Sequence, residues 1–126
     1  MGFLSKLFTK KEEILIYYSI VYKLDNVKLT LTVNGNEVIN DSYEFASAGS
    51  RPINEWIKVG DNSLGLHLSV IDLSREYWNF DILLTKAEKG QYSDEGEQLL
   101  NLNFNQENLN GSLPFDQSFN FIVDEV

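Results

Sequence analysis

The stretch that decides the fold is "NVKLTLTVNGNEVIN", Asn26 to Asn40. Val27, Leu29, Leu31 and Val33 alternate with Lys28, Thr30 and Thr32. A period of two puts the first set on one face of a β-strand and the second on the other. Asn34-Gly35 then supplies two residues that tolerate positive φ, as a type I′ hairpin turn requires. Glu37 to Asn40 begins the return strand. One face of this hairpin is apolar and the other polar, which is the pattern of an antiparallel sheet with one side buried.

The same period recurs outward in both directions. Upstream, "ILIYYSIVYK" carries Ile14, Ile16, Tyr18, Ile20 and Tyr22 on one side. Downstream, "SYEF" leads into "ASAGSRP", small residues closed by proline and read as a loop. "INEWIK" reads as a short strand or one turn of helix. "VGDNS" reads as a turn, because Gly60 and Asn62 accept backbone angles that other residues avoid. Leu64, Leu66, Leu68 and Val70 alternate with Gly65, His67 and Ser69. Trp78, Phe80, Ile82 and Leu84 repeat the pattern. So do Leu100, Leu102 and Phe104 against Asn101, Asn103 and Asn105, and finally Phe119, Phe121 and Val123. Seven to nine short strands without a persuasive long helix predict an all-β fold, an antiparallel β-sandwich of jelly-roll type, with a closed barrel as the alternative. Residues 12–126 form the one domain expected of a 126-residue chain.

Residues 1–11, "MGFLSKLFTKK", stand apart as an N-terminal amphipathic segment. Phe3, Leu4, Leu7 and Phe8 fall at helical spacing among Lys6, Lys10 and Lys11. A frayed end or a short helix covering one end of the fold is the plainer reading of that segment. Docking to a partner or a membrane surface is the other. The apolar run Ile14–Tyr22 follows two glutamates and has no small-residue cleavage site after it, so a cytoplasmic, non-exported protein is expected. No run approaches the length of a membrane span.

There is no cysteine, which removes disulfides, thiolate nucleophiles and cysteine metal sites. Formal charge is −9 and unevenly spread. Residues 1–30 hold five lysines against three acids, whereas residues 90–126 hold seven acids and no Lys or Arg. Such a field repels phosphate backbones and speeds encounter with a basic partner. The single histidine, His67, sits at an outward sheet position with no partner evident in the sequence, and no Gly-x-Ser-x-Gly elbow is present. A non-enzyme without cofactors is therefore expected. Asp61 with Asn62, and Asp94 with Glu95 and Glu97, offer oxygen ligands for calcium, but neither loop has the Asp-x-Asp-x-Asp-Gly spacing, so no metal is expected.

The run "VKLTLTVNGNEV", the aromatics of "YEF" and then "INEWIKVGDNSLGLHLSV" resemble bacterial β-sandwich modules of the galactose-binding-like, jelly-roll kind. In these modules a strand ends in Val-Asn-Gly, and an apolar pair precedes Gly-x-Asn and an alternating strand. The resemblance covers residues 27–70 and implies the sandwich fold; it carries over no ligand residue.

Two functional classes fit, and a third is held beside them. The first is a protein–protein module docking onto a basic partner, in its sharpest form an inhibitor or immunity protein of a bacterial toxin. Asp94, Glu95, Glu97, Asp124 and Glu125 would make the contacts and Tyr92 would be the anchor. The second is a carbohydrate- or small-ligand-binding sandwich using Trp56, Trp78 and Tyr92. The third is a structural or assembly subunit that docks through residues 1–11.

Overall fold

Strand pairing sorts the chain into two four-stranded antiparallel sheets in the computed structural model, which describes residues 16–108 and 113–124. The strands are β1 (Ile16–Asp25), β2 (Val27–Val33), β3 (Asn36–Tyr43), β4 (Ser47–Pro52), β5 (Gly60–Val70), β6 (Asn79–Glu88), β7 (Glu97–Asn105) and β8 (Phe115–Val123). Sheet A has the order β4-β1-β6-β7 and sheet B the order β3-β2-β5-β8. The result is an eight-stranded antiparallel β-sandwich. The N-terminal segment 1–11 and Ile14 lie outside the described residues.

The alternating positions become the core. Tyr18, Ile20, Tyr22 and Leu24 of β1 are buried, as are Val27, Leu29, Leu31 and Val33 of β2. Leu64, Leu66 and Leu68 of β5 and Phe80, Ile82 and Leu84 of β6 join them. The two central strand pairs thus seal the two sheets together. The β2–β3 hairpin turns as predicted: Asn34 has φ +51° and Gly35 φ +84°. A bulge at Leu31/Thr32 lets the consecutive residues Val38 and Ile39 both be buried.

Two readings need correction. "ASAGSRP" is not a loop: Ser47–Pro52 is β4, an edge strand paired with β1 from Leu24↔Ser47 to Ser19↔Pro52. Its side chains are mostly exposed and it has no apolar alternation, so periodicity could not reveal it. Backbone pairing with β1 makes it a strand, and Gly49 leaves room for the Tyr22 ring. A Cβ there would lie 2.5 Å from the Tyr22 ring carbon Cζ. "VGDNS" is likewise not a free turn. Gly60 does adopt φ +100°, but Gly60, Asp61 and Asn62 are already in β5 and pair with β8. "INEWIK" contains a 3-10 turn, Asn54–Trp56.

Asparagine side chains hold the corners. Asn26, fully buried with φ +59°, is the single residue between β1 and β2. Its amide donates to the carbonyls of Asp72 and Tyr77 (both 3.1 Å) and accepts from the Asp72 N–H (2.8 Å). That ties the β1–β2 corner to the connector between β5 and β6. At the opposite end, Asn34 donates to the Trp56 carbonyl (2.9 Å) and to Asn62 Oδ1 (2.8 Å), and accepts from the Ser63 N–H. Asn62 in turn bridges the Lys58 N–H and carbonyl. Asn54 extends the β1 edge by accepting from the Tyr18 N–H and donating to the Ile16 carbonyl, both at 2.9 Å. Each amide answers backbone groups that a crossing between sheets would otherwise leave unpaired.

Candidate functional site

The outer face of sheet A is where the side chains gather. Along β1 the outward residues are Ser19, Val21, Lys23 and Asp25, and register sets them opposite Thr85, Leu83, Asp81 and Asn79 of β6. Asp81 and Asn79 in turn oppose Asn103 and Asn105 of β7. One half of this face is covered. The connector between β6 and β7 folds back over it through a second 3-10 turn, Ser93–Glu95, whose Ser93 hydroxyl lies 3.1 Å from that of Ser50 on β4. Ser19, Thr85 and Ala87 are buried although they point away from the core, as this cover requires. Gly96 lies so close that a Cβ would come within 2.5 Å of the Lys86 carbonyl oxygen.

The other half of the face stays open as two adjoining depressions of about 210 and 310 Å3 that share Lys23 and Asp81. Val21 and Leu83 contribute apolar surface to the first, with Gln98, Asn101 and Asn103 around them. Asp25, Asn79 and Tyr77 line the second. Two oxygens here, Asn79 Oδ1 and Asp81 Oδ1, are buried and lack a hydrogen-bond partner. Among the described residues, neither Lys23 nor Asp81 joins an ion pair, whereas Asp25 lies 3.4 Å from Arg75. Sequence reading missed this groove. The alternation of Asn101, Asn103 and Asn105 was visible, but their meeting with Asp81 and Asn79 depends on the β6–β7 register.

The predicted docking residues fall at the edge of the cover. Tyr92 is 77% exposed and its backbone is fixed: its N–H donates to Glu95 Oε1 and its carbonyl accepts from the Glu95 N–H, each at 2.9 Å. Asp94 and Glu95 lie in the 3-10 turn and Glu97 opens β7; all three are exposed. Asp124, also exposed, follows Val123, which pairs with Gly60 at the start of β5. That is the same end of the sandwich, because Ile16 faces Glu88 across the β1–β6 ladder and Asn54, next to the β4–β5 crossing, holds the Ile16 carbonyl. Glu125 lies outside the described residues.

The proposed aromatic set does not come together. Trp78 is 7% exposed and stacks on Phe80 at 5.9 Å, at the end of the molecule where Asn26 sits. Trp56 packs partly buried against the core at the other end. The calcium loops are otherwise engaged: the Asn62 amide is consumed by the corner, and Glu95 caps Tyr92. Among the described residues, no three His, Asp or Glu side chains are grouped to hold a metal ion. His67 is exposed on the outer face of sheet B with Asp116 of β8 at 3.7 Å, a partner the sequence spacing concealed.

One further polar pair lies at the β3–β4 side. The Tyr22 hydroxyl makes a short hydrogen bond to Asp41 Oδ2, and its ring stacks on Tyr43 at 6.4 Å. Burial, and then the Asp41 carboxylate beside it, push the Tyr22 phenol well above its ordinary range. A neutral tyrosine held so firmly is a fastener between sheets rather than a reactive group.

No protein-family model, no curated protein and no solved structure matches the chain. The likeness over residues 27–70 thus stands at the level of a β-sandwich. No helix among the described residues is long and apolar enough to cross a membrane.

Proposed function

We propose that the chain is a non-catalytic binding domain that docks onto a basic protein partner through the acidic end of the sandwich. One observation carries this reading: Tyr92 stands 77% exposed on a backbone fixed by Glu95, with Asp94 and Glu97 beside it in sequence and Asp124 at the same end. An exposed tyrosine on a rigid turn loses little conformational freedom on binding, and surrounding carboxylates speed encounter with a cationic surface. Residues 90–126 contribute seven acids and no Lys or Arg, with Lys86 standing opposite Glu97 in the β6–β7 ladder. An inhibitor or immunity protein that covers a cationic site, acting in the cytoplasm, is the form of partner-binding this surface suits.

The test is kinetic. A partner isolated from the host is measured against the chain at low and physiological salt. Steered docking requires an association rate that falls steeply with salt. Replacing Asp94, Glu97 and Asp124 together with lysine should lower that rate by about ten-fold, and Tyr92→Ala should speed dissociation. Binding indifferent to salt and to these variants would dismiss the proposal. The four side chains are exposed, so the variants should fold.

A further inference from the structure

We infer that the side of the sandwich bounded by the free edges of β7 and β8 docks a second copy of this chain, with β7 pairing antiparallel to its own counterpart across a two-fold axis. Sheet A then continues from one copy into the next. An edge strand offers unpaired N–H and C=O groups to any other strand, and proteins blunt such edges with charge, proline, bulges or shortness. The four edges here are not equally guarded. β3 carries Glu37, Asp41 and the bulge opposite Leu31/Thr32. β4 has six residues, among them Arg51 and Pro52. β7 and β8 each run for nine residues without proline or glycine, and each has one charged residue near its start, Glu97 or Asp116. These two strands bound the same side of the molecule. The Phe115 ring of β8 lies 5.8 Å from Phe80 of β6 and 6.3 Å from Phe104 of β7. The β3–β4 side is therefore guarded and the β7–β8 side is open.

What the open side presents selects the occupant. Its apolar row is half-covered: Leu100, Leu102 and Phe104 of β7 and Phe115 and Phe119 of β8 are only partly buried, whereas Leu64, Leu66, Phe80 and Ile82 of the inner strands are buried. The β6–β7 ladder leaves Leu99 unpaired as a bulge, and from Leu100 to Asn105 β7 is regular. Its outward row there is Asn101, Asn103 and Asn105. An amide both donates and accepts, so identical amides satisfy one another, as in the asparagine ladders of stacked like strands. Any face-matched antiparallel register centred between Asn101 and Asn105 sets amide against amide and apolar residue against apolar residue. No residue from Gln98 to Asn105 is charged, so the centre brings no like charges together. A two-fold interface demands this self-complementarity, and it favours a second copy over an unrelated strand. β8 is the lesser candidate for the central pair, because its outward row of Asp116, Ser118, Asn120 and Ile122 is mixed. Nine residues of strand run about 30 Å and two stacked sheets with their side chains span roughly 20 Å, so this side offers on the order of 600 Å2 per copy, the low end of specific interfaces.

The experiment is sedimentation velocity of the full chain from micromolar to millimolar concentration, with amide exchange compared between dilute and concentrated samples. The result expected is a monomer–dimer equilibrium, with exchange in Leu100–Asn105 slowed in the concentrated sample and exchange in β3 and β4 unchanged. Replacing Asn101 and Asn103 together with lysine sets like charges across the pair and should weaken the dimer by at least about ten-fold. Asn40→Lys, the same change on the guarded β3 edge, should leave it intact. Each copy carries −9, so repulsion opposes pairing and added salt relieves it. Dimerisation therefore strengthens with salt, the reverse of steered docking at the acidic end, and either proposal can fail without the other. Asn101 and Asn103 are exposed residues of an edge strand, so the double variant should fold, and the exchange comparison needs no variant. A chain that stays monomeric at millimolar concentration overturns the inference. So does a dimer that the double variant leaves intact, that weakens with salt, or that protects β3, β4 or β8 without protecting β7.

Discussion

At the scale of single residues, the molecule relies on polar side chains placed where apolar ones would fail. Asn26 and Asn34 combine a positive φ with an amide that reaches backbone groups of distant segments, and glycine could supply only the first. Tyr22 does the equivalent between sheets, spanning from β1 to Asp41 on β3. Its raised phenol has a pH consequence whose sign is definite. The folded chain holds the Tyr22 proton more tightly than the unfolded chain, so the stabilisation is complete below about pH 10, the ordinary phenol value. It is lost as pH climbs from there toward the folded value. Urea unfolding midpoints should therefore fall above about pH 10, and Tyr22→Phe should reduce that alkaline fall. At neutral pH the same variant should cost about 1–3 kcal/mol, because the Asp41 carboxylate loses its donor. An alkaline decline identical in the variant would remove Tyr22 from this role.

At the scale of elements, β4 is the strand most dependent on one neighbour. It pairs only with β1 and is almost wholly exposed. Gly49→Ala should drive a methyl group into the Tyr22 ring, which Asp41 holds in place. The expected cost is about 1–3 kcal/mol, with amide exchange in Ala48–Arg51 accelerated more than in β6. Uniform exchange across sheet A would count against this local weakness. The same strand shows why part of the fold was hidden. Strands β2, β5 and β6 were legible because one face is buried and the other wet, so apolar residues must alternate. β4 buries no apolar face and leaves no such pattern, whereas the edge strands β7 and β8 keep a legible alternation although Leu102 and Phe119 are only partly covered. The corners were hidden for another reason. Asn62 looked like a turn residue in "VGDNS", and only the approach of Asn34 and Lys58 reveals its use. The groove shares that cause, since Asn103 and Asp81 are 22 residues apart and meet only by strand register.

At the scale of the whole molecule, charge and topology dominate. A net −9 on 126 residues repels itself in the folded state, and the seven acids beyond residue 90 concentrate part of it. Raising ionic strength from about 10 mM to 0.15 M should therefore stabilise the fold by about 1 kcal/mol, a rise of roughly 3–5 °C in Tm by calorimetry. A Tm that falls over that range would mean attractive pairs outweigh the repulsion. Topology has a consequence in time. Five of the seven connections pass from one sheet to the other, and β1 is flanked by β4 and β6, both made after it. During synthesis at roughly 5–20 residues per second, β1 waits several seconds before Glu88 emerges and its ladder can close. Throughout that interval "IYYSIVY", apolar, uncharged and free of proline, is an unshielded nascent segment of the kind that seeds aggregates. The newborn chain thus needs a holder before it needs a fold, and ribosome-bound fragments ending before β6 should be those that recruit chaperones in a crosslinking assay.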